Sequence, residues 1–247
     1  MLTVTNMCVA GMESAIRGMR NPMNSWKKSD SKYCSDKESD CKNCGYGKVN
    51  GLPCPTGDPL VVGCNDLDLM KRLFKAGTDH SKFMRMVSVW CDITAPLYWW
   101  KEYDTYKVGT VANSCSTMHK IHSKPIELSD FSIDDDVEIP YTDMTLRECF
   151  VSVVADCEML RKAYLEALEK GQNDLAKQYW KGLIQLLPES YQQTRTVMMN
   201  YQVAAKIIRE RANHKLSEWH TLVNELKNLP YMREITSTCD NVLHFKW

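Results

Sequence analysis

The sequence predicts an α+β fold: an antiparallel sheet built partly from residues 84 to 94, packed by long helices after residue 144, with a Cys-rich insertion near the start. Three observations predict it. The run MRMVSVWCDI is apolar and β-like and stops at Thr94-Ala95-Pro96, a segment that proline terminates. From Met144 onward, apolar residues recur at three-and-four spacing, the period of an amphipathic helix. Residues 29 to 58 turn abruptly small, polar and Cys-rich, which marks a loop set into a structured chain. The expected organisation is a single domain over residues 1–247, with 29–58 an insertion within it.

Taken in order, residues 8 to 28 carry a helical pattern interrupted by Gly11, Gly18 and Pro22, with Met12, Ile16 and Met19 on one face and Arg17 and Arg20 flanking it. After the Cys-rich stretch, Asn65 or Asp66 is suited to cap a helix that runs to about Lys75 and ends at Gly77. Tyr98 to Tyr106 reads as a helix whose aromatics are individually more consistent with core than with a ligand wall. The acidic run Ile133 to Glu138 is expected to be solvated, because consecutive acids in an extended segment point apart. Phe150, Val153, Val154, Cys157, Leu160, Tyr164 and Leu168 define a helix that Gly171 stops, and Asp174 opens the next. Beyond Pro188 a long helical segment is expected to hold Val197, Met198, Tyr201, Ala204, Ala205 and Ile208, and Leu216 to Leu226 forms a last amphipathic piece.

Composition restricts the function classes. The chain is 44% hydrophobic and 25% charged, ordinary for a soluble globular protein, and its 31 basic residues equal its 31 acidic ones. No overall field therefore draws nucleic acid or anionic lipid, and any phosphate must be held locally. No apolar run reaches bilayer length and no basic-then-apolar leader opens the chain, so a cytoplasmic protein without membrane contact is expected. The 11 cysteines then favour reduced thiols or metal ligands over a disulfide framework.

Cys34, Cys41, Cys44 and Cys54 form the strongest local chemical signal. Cys41-Lys42-Asn43-Cys44-Gly45 is a knuckle whose two thiolates can chelate one ion, with Gly45 permitting the tight turn behind them. Cys34 and Cys54 complete a tetrahedral set for a structural zinc; free thiols and redox disulfides are the alternatives. Such a closed all-cysteine site has no open position for catalysis.

The segment from His80 to His119 joins the apolar strand to an aromatic and basic cluster and then to a small-polar run, Thr110 to Thr117. His80 precedes Pro96 by the spacing of the FAD-dependent thymidylate synthase (ThyX) family, and Asn113-Ser114-Cys115-Ser116 resembles the Asn-Glu-x-Ser part of its signature. The family's Arg-His-Arg triplet falls on Thr105, Tyr106 and Lys107, its first Ser on Thr110, its Glu on Ser114, and its later Arg and Tyr on Met118 and His119, with one extra residue between Thr110 and Asn113. Downstream, Leu187-Pro188, then Asn200 twelve residues past the proline, then Arg211 eleven past the asparagine, repeat family intervals without a gap. The chain thus resembles the family over roughly residues 60 to 225.

That resemblance implies an enzyme that makes dTMP from dUMP with reduced FAD and methylenetetrahydrofolate, drawing electrons from NADPH. It implies FAD held by His80, Lys107 and Asn200, and the nucleotide held by Thr110, Asn113, Ser114 and Ser116. Arg211 takes the catalytic place, orienting and polarising the uracil ring through planar donors that stay charged at working pH. A homotetramer with active sites between subunits is also implied. Ile184 stands where the family has a phosphate-binding Arg. With the altered signature, this leaves two alternatives: a non-catalytic nucleotide- or flavin-binding homologue, or a flavoenzyme modifying another pyrimidine nucleotide.

Overall fold

In the computed structural model of the chain, residues 2–33, 60–133 and 137–237 are described. The elements run β1 (Thr3–Ala10), α1 (Met12–Arg20), β2 (Lys32–Tyr33), β3 (Leu60–Val61), α2 (Cys64–Lys75), β4 (Ser88–Pro96), α3 (Leu97–Tyr103), β5 (Thr110–Ser114), α4 (Thr117–Lys120), α5 (Leu146–Glu169), α6 (Asn173–Leu186), β6 (Gln192–Asn200), α7 (Tyr201–Arg211), α8 (Ser217–Lys227) and α9 (Met232–Thr236). A four-stranded sheet has the order β1-β4-β6-β5, and β2 and β3 form a separate pair. Thr94 and Thr194 share a hydroxyl hydrogen bond at 2.7 Å, and Thr196 Oγ1 donates to Asp92 Oδ1 at 2.5 Å. Partner numbers fall on β4 as they rise on β6, so the two run antiparallel. Cys115 N–H donates to the Thr194 carbonyl and Asn200 N–H to the Gly109 carbonyl, which makes β5 antiparallel to β6 by the same reasoning.

Two compact units divide the chain: Met1–Thr3, Ile93–Thr105 and Asn113–Arg195 in one, and Val4–Asp92, Tyr106–Ala112 and Thr196–Trp247 in the other. The first is built around the α5–α6 hairpin. Thr145 accepts from the Glu148 N–H while Glu148 accepts from the Thr145 N–H, a reciprocal cap that satisfies two otherwise orphaned donors and starts α5. Gly171, at φ +70°, then lets the chain leave the helix in the left-handed conformation. Ile121, Ile126, Phe131, Val154, Cys157 and Leu183 close the core between these helices and the preceding loop. Full burial of a side chain such as Leu183 stabilises by about 1.5 to 3 kcal/mol. Glu158 joins loop to helix. It accepts two bonds from Arg161 and one from the Ile126 N–H, and these, the Arg161 bonds above all, bring its carboxyl down to about 2. In the same unit Trp99, Trp100 and Tyr103 of α3 pack as mutually edge-on and stacked rings and are buried, as their core assignment anticipates.

The second unit packs α1, α2 and α7 to α9 around Met70, Met84, Ile207, Trp219, Leu222 and Met232. Met12, Ile16 and Met19 all turn inward on α1. Gly11 is required before it: φ is +95°, and a Cβ there would meet the Met86 carbonyl oxygen at 2.3 Å. Arg20 does more than flank that face. Its Nε donates to Asp66 Oδ1 at 2.6 Å, with both side chains buried. Asp66 Oδ2 meanwhile accepts from Ser29 Oγ, Ser31 Oγ and the backbone N–H groups of Asp30 and Ser31.

The structure corrects three expectations. The helix expected to hold Val197 and Met198 is strand β6 followed by α7. Alternate residues Val197 and Met199 are buried, a period of two that short-range apolar spacing had mimicked as helical. Residues 3 to 10 form a strand before α1, and the region after α1 is two single-turn 3₁₀ segments. Neither Asn65 nor Asp66 caps α2. Asp30 does so from a distant segment, accepting from the N–H groups of Asn65 and Asp66 at 2.9 and 3.1 Å, while the Asp66 side chain is committed to Arg20.

Tyr33 pairs with Leu60 and Lys32 with Val61, so the chain just before Cys34 and the chain just after the Cys-rich stretch meet as neighbouring strands. The zinc ligand set Cys34, Cys41, Cys44 and Cys54 lies outside the described residues. Cys91 and Cys157 are buried, and burial pushes their thiols up to about 12 and about 11, consistent with small core residues rather than nucleophiles. No described helix is long and apolar enough to cross a membrane.

Candidate functional site

In the second unit, the segment from Tyr106 to Thr110, which carries Lys107 and Thr110, meets both Asn200 and Arg211. Gly109, at φ +82°, brings its carbonyl to the Asn200 N–H at 3.3 Å; a Cβ there would stand 2.6 Å from Asn200 Nδ2. Asn200 ends β6 and caps α7: its Oδ1 accepts from the Val203 N–H at 3.0 Å. The cap fixes the amide in orientation, with its nitrogen toward Gly109. Thr110 Oγ1 donates to the Tyr106 carbonyl, which tightens the turn, and Lys107 between them is exposed.

Arg211, the last residue of α7, is held on the other side of the same segment. Its Nε donates to Tyr106 Oη at 2.9 Å, and its guanidinium carbon lies 4.5 Å from the Trp219 ring centroid and 5.6 Å from that of Tyr106. Tyr106 Oη also donates to Glu210 Oε2 at 3.3 Å. Burial raises the Tyr106 phenol above its ordinary value, against the lowering effect of Arg211, so it stays protonated at neutral pH and can accept and donate at once. The arrangement is a planar cation whose edge is fixed by a hydroxyl and whose face is fixed by an indole, a preorganised donor. His80 sits on a different segment, the exposed turn after α2, where its N–H donates to the Gly77 carbonyl at 3.1 Å.

The remaining predicted residues belong to the first unit. Asn113 and Ser114 are exposed on β5, and Ser116 caps the short α4, accepting from the His119 N–H at 3.1 Å. Beside them stands Arg195 of β6, which the sequence reading passed over. Arg195 Cζ lies 4.2 Å from the Trp100 ring centroid, its Nε donates to Gln193 Oε1 at 2.9 Å, and its Nη1 to Asp104 Oδ1 at 2.8 Å. Gln193 Nε2 in turn donates to Thr117 Oγ1 and the Cys115 carbonyl, both at 2.9 Å. Ile184 packs against the α5–α6 core. Trp219 and Glu210, which complete the Arg211 cluster, were also missed. Glu210 is merely adjacent to Arg211 in sequence, and Trp219 becomes its neighbour only once α7 and α8 pack together, so neither gave a signal.

No protein-family model and no curated protein sequence matches the chain. Solved structures do. The flavin dependent thymidylate synthase ThyX from Helicobacter pylori, complexed with FAD and dUMP, aligns over 96% of this chain and 98% of its own at 18% identity, with a TM-score of 0.57. A second structure of Thymidylate Synthase X (ThyX) from the same organism, also with FAD and dUMP, aligns over 96% of this chain and 97% of its own at 17% identity, with a TM-score of 0.56. At this identity the likeness establishes a ThyX-like fold.

Proposed function

We propose that the protein is a flavin-dependent thymidylate synthase-like enzyme that methylates the pyrimidine of dUMP, using FAD, NADPH and methylenetetrahydrofolate. The observation that carries this reading is the Tyr106–Thr110 segment, which begins within the Thr105–Lys107 stretch that aligns with the family's triplet and which touches both Asn200 and Arg211. Two proteins of the same fold hold FAD and dUMP, which supports the same ligand classes here.

The donor set fits FAD. Lys107 is an exposed cation for a phosphate, though without the bidentate fork of an Arg; His80 is exposed; and Asn200 offers an oriented amide suited to a flavin edge. Bound reduced flavin and methylenetetrahydrofolate supply the electrons and the carbon unit. The chain's own task is to orient the pyrimidine and stabilise charge on it: Arg211, clamped by Tyr106 and Trp219, presents a donor that needs no rearrangement during reaction. Thr110, Asn113, Ser114 and Ser116 supply neutral donors for the nucleotide. A homotetramer, as the resemblance implies, is part of this proposal.

Titrating the purified protein with FAD tests the cofactor assignment. A saturable change in flavin absorbance and quenched flavin fluorescence are expected; an unchanged spectrum overturns the assignment.

A second reading, a flavoenzyme acting on another pyrimidine nucleotide, is favoured by the substrate end. Ser114, Met118 and His119 replace the family's Glu, Arg and Tyr, and Ile184 is part of an apolar core rather than an empty seat for a cation.

The proposal also assigns one structural zinc to Cys34, Cys41, Cys44 and Cys54, supported by their spacing and by the β2–β3 pairing that brings the bounding residues together. About one zinc per chain is expected, and Cys41→Ser with Cys44→Ser should remove it while the helical core stays folded. Less than about half an equivalent in the wild type overturns the assignment, because sites of this kind bind with about 10 kcal/mol or more.

A further inference from the structure

The first unit contains a guanidinium whose surroundings exceed what a structural tie requires. Arg195 is flattened on Trp100, which is fully buried and itself anchored by Nε1 donating to the Gln193 carbonyl at 2.9 Å. Gln193 fixes the Nε edge, and Asp104 takes one Nη1 hydrogen. An arginine has five N–H donors, so three remain without a partner among the described residues. The side chain is 16% exposed and Asp104 51% exposed, so these donors are partly desolvated while the compensating carboxylate is largely in water. A rigid planar fork with open donors is the geometry that meets a phosphate through two parallel hydrogen bonds.

Its neighbours strengthen the case. Through Gln193, Arg195 is one residue removed from the Thr117 hydroxyl and the Cys115 carbonyl, next to the exposed Ser114. Other cations of this unit are engaged elsewhere, among them Arg161 with Glu158, Lys124 with Asp130, and Lys101 with Glu189. The chain lacks arginines at positions 118 and 184, so a nucleotide bound near residues 113–117 needs a cation from a different element.

We propose that Arg195, oriented by Trp100 and Gln193, is the phosphate-binding residue of the nucleotide site and selects a pyrimidine nucleoside monophosphate over the nucleoside. The inference rests on the proposed nucleotide function for the identity of its ligand, and on the first unit's geometry for the anion. Asp104 opposes the anion electrostatically and holds the guanidinium level in its absence.

Calorimetric titration of the full chain with dUMP, dCMP, deoxyuridine and inorganic phosphate tests it, on the wild type and on Arg195→Gln, Arg195→Lys and Asp104→Asn. The wild type is expected to bind at least one monophosphate tighter than deoxyuridine. Arg195→Gln should weaken that monophosphate by at least about tenfold, the scale of one charge-assisted contact, and leave deoxyuridine unchanged. Arg195→Lys should recover part of the loss, and Asp104→Asn should bind as tightly as the wild type or more so. Near-ultraviolet circular dichroism of the Trp100 environment verifies that each variant is folded. A folded Arg195→Gln that discriminates as the wild type does, or a wild type that binds neither monophosphate nor phosphate, overturns the proposal. Arg195-dependent binding of dCMP but not dUMP upholds the anion site while overturning the dUMP reading.

Discussion

Replacing Asp66 with alanine is expected to destabilise the protein by about 3 to 5 kcal/mol, the range for breaking a buried ion pair by removing one partner. The Arg20 guanidinium would stay buried without its carboxylate, and the Asp30 and Ser31 N–H groups and two serine hydroxyls would lose their acceptor. At roughly 2 to 4 °C per kcal/mol for a chain of this size, the melting temperature should fall by about 6 to 20 °C. Asp66→Asn should recover little, because a neutral amide cannot balance Arg20. The pH dependence has a definite sign. Burial alone would raise the Asp66 carboxyl, but the hydroxyls of Ser31 and Ser29 and the Arg20 charge outweigh it and hold it below its ordinary 3.8. A depressed folded value means that the contribution is present above that ordinary value and is lost as pH falls through the lower one. The gap between wild type and Asp66→Asn should therefore be full at pH 7 and shrink in acid below it. Thermal melts of both proteins across pH check this; a gap that widens on acidification contradicts it.

The second large effect concerns turnover. Arg211→Ala should leave FAD binding nearly intact and lower the rate of dTMP formation by about 100-fold or more, the scale of removing one preorganised donor. Arg211→Lys should recover little. An ammonium keeps the charge but cannot donate to Tyr106 from a planar edge while lying flat on Trp219. Single-turnover kinetics with flavin titrations on each variant separate the two readouts. A variant that loses FAD and rate together shows that Arg211 acts in cofactor binding.

The helical half of the fold was legible because each signal was local. The apolar stripe of α5 and the Gly171 that stops it lie within one stretch of chain, and period and stop signal agree. Strand β6 was not legible. Gln192 to Asn200 is largely polar, its two buried residues are only Val197 and Met199, and it runs without a break into α7, so the helical period extended backward over it. The Asp30 cap on α2 was invisible for a different reason: it comes from the start of the Cys-rich stretch, 35 residues before the Asn65 N–H it accepts from. Asn200 and Arg211 could be proposed by interval, and they bound one helix. Arg195 could not, since its meaning depends on β6 being a strand whose face meets α3.

The most direct test of the central claim is dTMP formation by the wild-type protein, reconstituted with FAD, reduced, and supplied with dUMP and methylenetetrahydrofolate. dTMP made in proportion to enzyme is expected, with flavin oxidation that depends on dUMP. Flavin that binds and is reduced, yet yields no dTMP and no dUMP-dependent oxidation, would contradict it.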